Sequence, residues 1–169
     1  MERHVLSILV ENHPGVLARI SGLFSRRGYN IDSLSVGETE DGRLSRITVA
    51  VMGDADIIEQ IRKQVEKLVD VTEVIVLLPS ESVYRELTLI KVLADAKARP
   101  EIVGIVEIFR ANIIDVANES MTVEMTGDQD KIGAFVALMT PYGVIEIVRT
   151  GLTAIQRGNA ALKEHEVKW

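Results

Sequence analysis

Residues 4–11, HVLSILVE, run straight into Asn12-His13-Pro14-Gly15 and then into Val16, Leu17, Ile20, Leu23 and Phe24. The first eight residues are short, apolar and β-rich, and Asn-His-Pro-Gly stops them, so they read as a strand and a turn. The five apolar residues that follow recur at helical spacing, with Arg19, Arg26 and Arg27 off the stripe, and Gly28 ends the run. A strand that turns into an amphipathic helix within four residues sets the topology of everything after it.

Working outward, residues 30–37 (NIDSLSVG) predict a second strand, and the Asp-Gly pair in Glu40-Asp41-Gly42-Arg43 predicts a tight hairpin. Ile47, Val49 and Val51 alternate with Arg46, Thr48 and Ala50, which is a third strand. Gly53-Asp54 caps a helix whose inner face is Ile58, Ile61, Val65 and Leu68, and residues 71–78 form a fourth strand. The order βαββαβ then repeats. Strands are expected over 86–94, 112–118, 121–126 and 144–149. Ile102, Ile105, Val106 and Phe109 mark one helix; after the Gly127-Asp128 cap, Ile132, Phe135, Val136 and Met139 mark another. The expected fold class is α+β, two ferredoxin-like βαββαβ sandwiches. The expected boundaries are residues 1–78 for the first unit, 79–83 for a linker and 84–169 for the second. The stretch from about Thr153 is small or polar and gives no clear pattern.

The turn after the first strand is where chemistry is expected. Pro14 has φ pre-set for a first helical turn, and Gly15 lets another group approach the backbone. The N–H groups of Gly15, Val16 and Leu17 would then face outward at the positive end of a helix dipole. A carboxylate there gains roughly 0.3–1 kcal/mol from the dipole, and direct N–H contacts add to it. If the ligand is an amino acid, Asn12 and Asn30 offer carbonyls to its ammonium while keeping donors for its carboxylate. Val16, Leu17 and Ile31 would favour a short aliphatic side chain. The same spacing also serves a plain connecting turn. In the second unit the corresponding turn, Ala94-Asp95-Ala96-Lys97-Ala98-Arg99-Pro100, has no glycine, so ligand binding is expected in the first unit alone.

Composition narrows the classes. A net charge of −6 over 169 residues argues against a nucleic-acid module, which needs a basic footprint. With no cysteine, disulfides, thiolate metal sites and Cys nucleophiles are excluded. The apolar runs are too short to span a membrane, and the start lacks a secretory pattern, so a cytoplasmic protein is expected. His4, His13 and His165 are scattered without a metal or triad spacing, and no pair of carboxylates is placed for acid–base work. No metal site and no catalytic residue is therefore expected on this chain.

Glu11-Asn12-His13-Pro14-Gly15-Val16-Leu17-Ala18-Arg19, followed by Gly22-Leu23-Phe24-Ser25-Arg26-Arg27-Gly28-Tyr29-Asn30-Ile31, resembles an ACT domain. More closely, it resembles the small regulatory subunits of acetolactate synthase (acetohydroxyacid synthase). Ser33-Leu34-Ser35-Val36-Gly37, Ile113-Ile114-Asp115-Val116, Thr126-Gly127-Asp128 and Arg149-Thr150-Gly151 extend the likeness to nearly the whole chain. Asn112 departs from it, at a position often basic in relatives, and His13 sits where relatives vary. The resemblance implies a non-catalytic chain that activates a large catalytic subunit and confers feedback inhibition by valine, sometimes with leucine or isoleucine. It implies a homodimer through the ACT domains, with effector held by Asn12, Gly15, Val16 and Leu17 of one copy and Asn30 and Ile31 of the other. Thiamine diphosphate, magnesium and FAD belong, on this resemblance, to the catalytic subunit. Two alternatives remain: an acylphosphatase-like hydrolase, with Arg19 beside the same amides, and an ACT sensor serving a different enzyme.

Overall fold

The computed structural model describes residues 2–162, and His165 lies outside them. The chain divides into two compact units: one up to Tyr84 together with the residues from Leu152 on, and one from Arg85 to Gly151.

The first unit is built from β1 (Glu2–Glu11), α1 (Val16–Arg26), β2 (Ile31–Glu38), β3 (Leu44–Gly53), α2 (Ala55–Glu66) and β4 (Val71–Leu77). The sheet order is β2-β3-β1-β4, with every neighbouring pair antiparallel. Because strand side chains alternate faces, Leu6, Ile8 and Val10 of β1 and Ile47, Val49 and Val51 of β3 share one face. They pack against Val16, Ile20, Leu23 and Phe24 of α1 and Ile58, Ile61 and Val65 of α2. Each such side chain contributes roughly 1.5–3 kcal/mol on burial, an upper estimate because the unfolded chain already buries part of it. Leu17 departs from the expected stripe and is 42% exposed.

The Asp-Gly pair does not make a two-residue hairpin. The β2–β3 connection spans residues 39–43, and Gly42 does not take positive φ. The Asp41 carboxylate instead accepts from the Arg43 backbone N–H at 3.0 Å and from its guanidinium at 2.8 and 2.9 Å, which stabilises a wider loop.

The second unit repeats the plan. It contains most of β5 (Ser82–Leu93), then α3 (Arg99–Ile108), β6 (Asn112–Val116), β7 (Ser120–Gly127), α4 (Gln129–Met139) and β8 (Val144–Arg149). The sheet order is β6-β7-β5-β8. Ile90, Val92, Met121, Val123 and Met125 pack on Ile102, Val106, Ile132, Phe135 and Met139. Both predicted Asp caps are present: Asp54 accepts from Ile57 N–H at 3.0 Å and Asp128 from Lys131 N–H at 2.8 Å.

The domain boundaries differ from the expected ones in two places. Residues 79–83 are not a free linker: Pro79–Glu81 make a single 3-10 turn and β5 begins at Ser82. The second unit does not run to the end of the chain. A short strand, β9 (Thr153–Gln156), follows Leu152, and Leu152 and Ala154 pack with Val5, Ala50 and Leu77 on the face of the first sheet opposite its helices. Ser33 Oγ accepts from Leu152 N–H at 2.7 Å, and Ser35 Oγ donates to Leu152 O at 2.9 Å. This cover explains why β1 is buried without a break from Val5 to Val10. No helix among the described residues is long and apolar enough to cross a membrane.

Candidate functional site

Between β1 and α1 the backbone turns through Gly15, at φ +91°, and the helix begins at Val16. Pro14 therefore precedes the cap instead of opening the helix, because a left-handed residue cannot be part of it. At Gly15 an L side chain would be strained, although a Cβ there would meet nothing within 4 Å. The first intrahelical bond runs from Arg19 N–H to Gly15 O, at 3.1 Å. Among the described residues no hydrogen bond of ordinary geometry engages the N–H of Gly15, Val16, Leu17 or Ala18, and no side chain caps the helix. These are the four donors that every helix start leaves over. They lie at the positive end of α1, with no acidic residue in its first turn.

The predicted contact residues fare differently. Asn12 is anchored to the β2–β3 loop: its Nδ2 donates to Gly42 O at 2.9 Å and Glu38 Oε1 at 3.2 Å, and its backbone N–H to Arg43 O at 2.8 Å. The Asn12 side-chain donors are thus spent, contrary to expectation, and its carbonyl is the atom left over. Val16 contributes only its amide, since its side chain is 4% exposed and part of the core. Leu17 remains on the surface. Asn30 is exposed and donates to Asp32 Oδ1 at 3.1 Å; Ile31 packs partly against the core.

Nor are Asn30 and Ile31 near the turn within one chain. Glu11, at the turn end of β1, pairs with Leu44 of β3, whereas Ile31 pairs with Val51. Leu44 and Val51 are seven positions apart on the same strand, which is about 23 Å at ~3.3 Å per residue. The two halves of the expected site lie toward opposite ends of one sheet.

A polar network beside the turn escaped the sequence reading. Asp70, in the loop before β4, is buried and ion-paired with the Arg19 guanidinium. Its other oxygen lies 2.9 Å from His13 Nε2, and Glu11 Oε2 is 3.4 Å from the same nitrogen. His13 Nδ1 is 3.1 Å from Pro14 O. The bond to the Pro14 carbonyl holds the His13 pKa above its ordinary 6.5; desolvation opposes it, and the neighbouring Asp70 and Glu11 carboxylates add to the rise. In sequence, Asp70 is 57 residues from His13 and carries no motif; only the β1–β4 pairing, with Glu11 N–H donating to Asp70 O at 2.9 Å, brings them together. The commitment of Arg19 to Asp70 removes the cation that a phosphate-handling hydrolase would want beside the amides.

An open cleft of about 550 Å³ lies next to the turn, lined by Glu11, Asn12, His13, Asp41, Gly42, Arg43 and Leu44. The amides of Gly15 to Leu17 are not part of its wall. A smaller cavity of about 150 Å³, lined by Ser7, Arg46, Ile75, Ile155 and Leu162 among others, lies on the opposite face of the sheet from the helices.

In the second unit the equivalent turn is closed from within. Asp95 Oδ1 accepts from Lys97 N–H at 3.0 Å and Ala98 N–H at 2.8 Å. The Arg99 guanidinium donates to the carbonyls of Ala94, Ala117 and Asn118 at 3.2, 2.6 and 2.6 Å. Asp95 thus takes up the amide of the cap residue Ala98, the counterpart of Gly15, and the one before it, while Pro100 removes one of the N–H groups of the first helical turn.

Comparison with known proteins bears on both halves. Residues 6–73 match the family model described as the AHAS small subunit-like ACT domain, and residues 85–158 the one described as the small subunit of acetolactate synthase. A probable acetolactate synthase small subunit from Archaeoglobus fulgidus is 52% identical over 157 residues, covering 93% of this chain and 98% of that protein. The acetolactate synthase small subunit of Mycolicibacterium smegmatis is 48% identical, over 92% and 91% of the two chains. The crystal structure of the acetolactate synthase small subunit from Thermotoga maritima superposes with a TM-score of 0.88 at 46% identity, over 95% of this chain and all of that one. With likeness at this level running through both repeats, the chain belongs to the acetolactate synthase small-subunit family.

Proposed function

We propose that this chain is the regulatory subunit of acetolactate synthase in branched-chain amino acid biosynthesis, acting in the cytoplasm. It activates the catalytic subunit and makes it sensitive to valine. The chain pairs with a second copy through its first unit. Valine places its carboxylate on the N–H groups of Gly15, Val16 and Leu17 of one copy. Asn12 offers its carbonyl to the ammonium, and Asn30 and Ile31 come from the partner. The reaction itself, with thiamine diphosphate, magnesium and FAD, resides on the large subunit.

What supports this reading is that the amides at the α1 start have no hydrogen-bond partner among the described residues, while Asn30 and Ile31 lie toward the far end of the same sheet, where only another copy could bring them to the turn. One chain does not complete the cage, so ligand occupancy depends on how two copies meet. A ligand of that kind shifts an equilibrium by its differential affinity for the two arrangements, typically by about 1–3 kcal/mol.

The test is reconstitution with the catalytic subunit, assayed with and without valine. Asn30→His removes an amide acceptor at an exposed position. It is expected to raise the half-inhibitory valine concentration about tenfold or more, the order of a lost charge-assisted hydrogen bond, with activation retained. An unchanged half-inhibitory concentration refutes the assignment.

A further inference from the structure

We propose that Glu11, His13 and Asp70 form a binding site for a divalent metal ion of the zinc class. Glu11 ends β1, His13 lies two residues on in the turn, and Asp70 immediately precedes β4. The Glu11 N–H to Asp70 O bond locks the two strand ends together. One donor atom from each residue lies within 4.8 Å of the other two.

The spacing suits a small ion. A tetrahedral ion with ligands at about 2.0–2.2 Å separates them by about 3.3–3.6 Å. His13 Nε2 is 3.4 Å from Glu11 Oε2 and 2.9 Å from Asp70 Oδ1, and all three donor atoms lie within 4.8 Å of one another, close enough for side-chain rotation to bring them around one ion.

The hydrogen-bond pattern argues the same way. The Pro14 carbonyl accepts only, so His13 Nδ1 carries the hydrogen in that contact. In the neutral imidazole, Nε2 is then a lone pair, and it faces two carboxylate oxygens that are also acceptors. Three lone pairs converging on one point call for a cation: a proton on Nε2 in the metal-free protein, and a metal ion that displaces that proton when one binds. Ligating histidines ordinarily donate their other N–H to a carbonyl or carboxylate, and ligating carboxylates are themselves hydrogen-bonded. Here Pro14 O and the Arg19 guanidinium already supply both supports. Asp70, with 7% of its side chain exposed, anchors the set, while the half-exposed Glu11 and His13 leave an open coordination position toward solvent. With neutral imidazole, two carboxylates and one guanidinium leave one net negative charge to attract the ion. Mixed imidazole and carboxylate donors suit zinc and cobalt more than calcium or magnesium.

The experiment titrates zinc ion into untagged, chelator-treated full-length protein by calorimetry and follows cobalt substitution by visible absorption. One ion per chain is expected, with cobalt bands of low coordination number. His13→Gln, at an exposed position that leaves the core intact, is expected to weaken binding by more than the roughly 10–100-fold typical of losing an outer-shell partner; Glu11→Gln gives an independent check on a second ligand. Zinc binding that survives His13→Gln unchanged overturns the site, as does an imidazole that holds a proton through neutral pH and shows no zinc-induced shift in its NMR resonances.

Discussion

Gly15 and Gly42 isolate one physical term. A Cβ added at either meets no atom within 4 Å, so neither substitution creates a clash. They differ in backbone: Gly15 sits at φ +91°, and Gly42 is outside the positive region. Alanine at Gly42 narrows the unfolded ensemble without straining the folded one and is expected to stabilise by about 0.4–1 kcal/mol. Alanine at Gly15 enters left-handed space, which costs an L-residue roughly 1–2 kcal/mol. The two variants should therefore differ by ~1.5–3 kcal/mol, with opposite signs relative to the parent.

Urea unfolding of the full chain measures this directly, comparing midpoints at a common slope. The slope is part of the test, because a change in it would report a different unfolded state instead of a strained turn. If Gly15→Ala unfolds at the same midpoint as Gly42→Ala, the turn relaxes at no cost, and the claim that only glycine holds these amides outward fails.

Two further outcomes follow from other parts of the first unit. Leu152→Ala opens the cover over Val5, Ala50 and Leu77 and is expected to cost about 2–5 kcal/mol, with hydrogen-exchange protection lost first in β1 and β3; a cost within experimental error would show that the C-terminal segment does not belong to this unit. For the same reason a fragment ending at Pro79 lacks that cover and is a poor vehicle for binding studies. The third concerns pH: in metal-free protein, the Pro14 carbonyl and the Asp70 and Glu11 carboxylates hold His13 protonated above its ordinary 6.5. The stabilisation is then fully present below the unfolded pKa and is lost as pH rises through the folded one. Parent and His13→Gln should differ most on the acid side, and a His13 NMR titration midpoint at or below 6.5 refutes the assignment.

The fold was legible because the two apolar periodicities alternate cleanly. Ile47, Val49 and Val51 mark a strand as plainly as Ile58, Ile61 and Val65 mark a helix, and both Asp caps stand where the pattern breaks. The C-terminal strand was not legible from its own four residues, Thr153-Ala-Ile-Gln156. The signal lay in β1, where Val5-Leu6-Ser7-Ile8-Leu9-Val10 is apolar at nearly every position. A strand with helices on one face only should alternate, and an unbroken run means both faces are covered. The turn at Gly15 was readable because glycine acts locally, although Pro14 stands one place earlier than the first helical turn it was expected to open. The His13–Asp70–Arg19 network was not, since strand pairing, and not spacing, brings its members together. Nor was it legible which atoms of Asn12 are available, because its donors answer to Glu38 and Gly42 across the β2–β3 loop, 26 and 30 residues away in sequence.

The two repeats share a topology and reach opposite solutions at the same place. A helix that starts after a strand must dispose of its first N–H groups. In the second unit Asp95, two and three residues ahead, accepts hydrogen bonds from the N–H groups of Lys97 and of the cap residue Ala98, just before α3 begins. In the first, the left-handed Gly15 turns the backbone so that no nearby side chain reaches those amides, and Asp70, the buried carboxylate beside the turn, is held by Arg19 and His13 instead. That arrangement leaves the donors without an internal partner among the described residues, while the buried carboxylate beside the turn is paired with a cation. Exposed amides alone are common at helix starts and bind nothing tightly. What distinguishes this one is that the buried carboxylate beside the turn is tied to Arg19 and His13 and makes no bond to these amides, so an anion arriving from outside would meet no internal competitor for them.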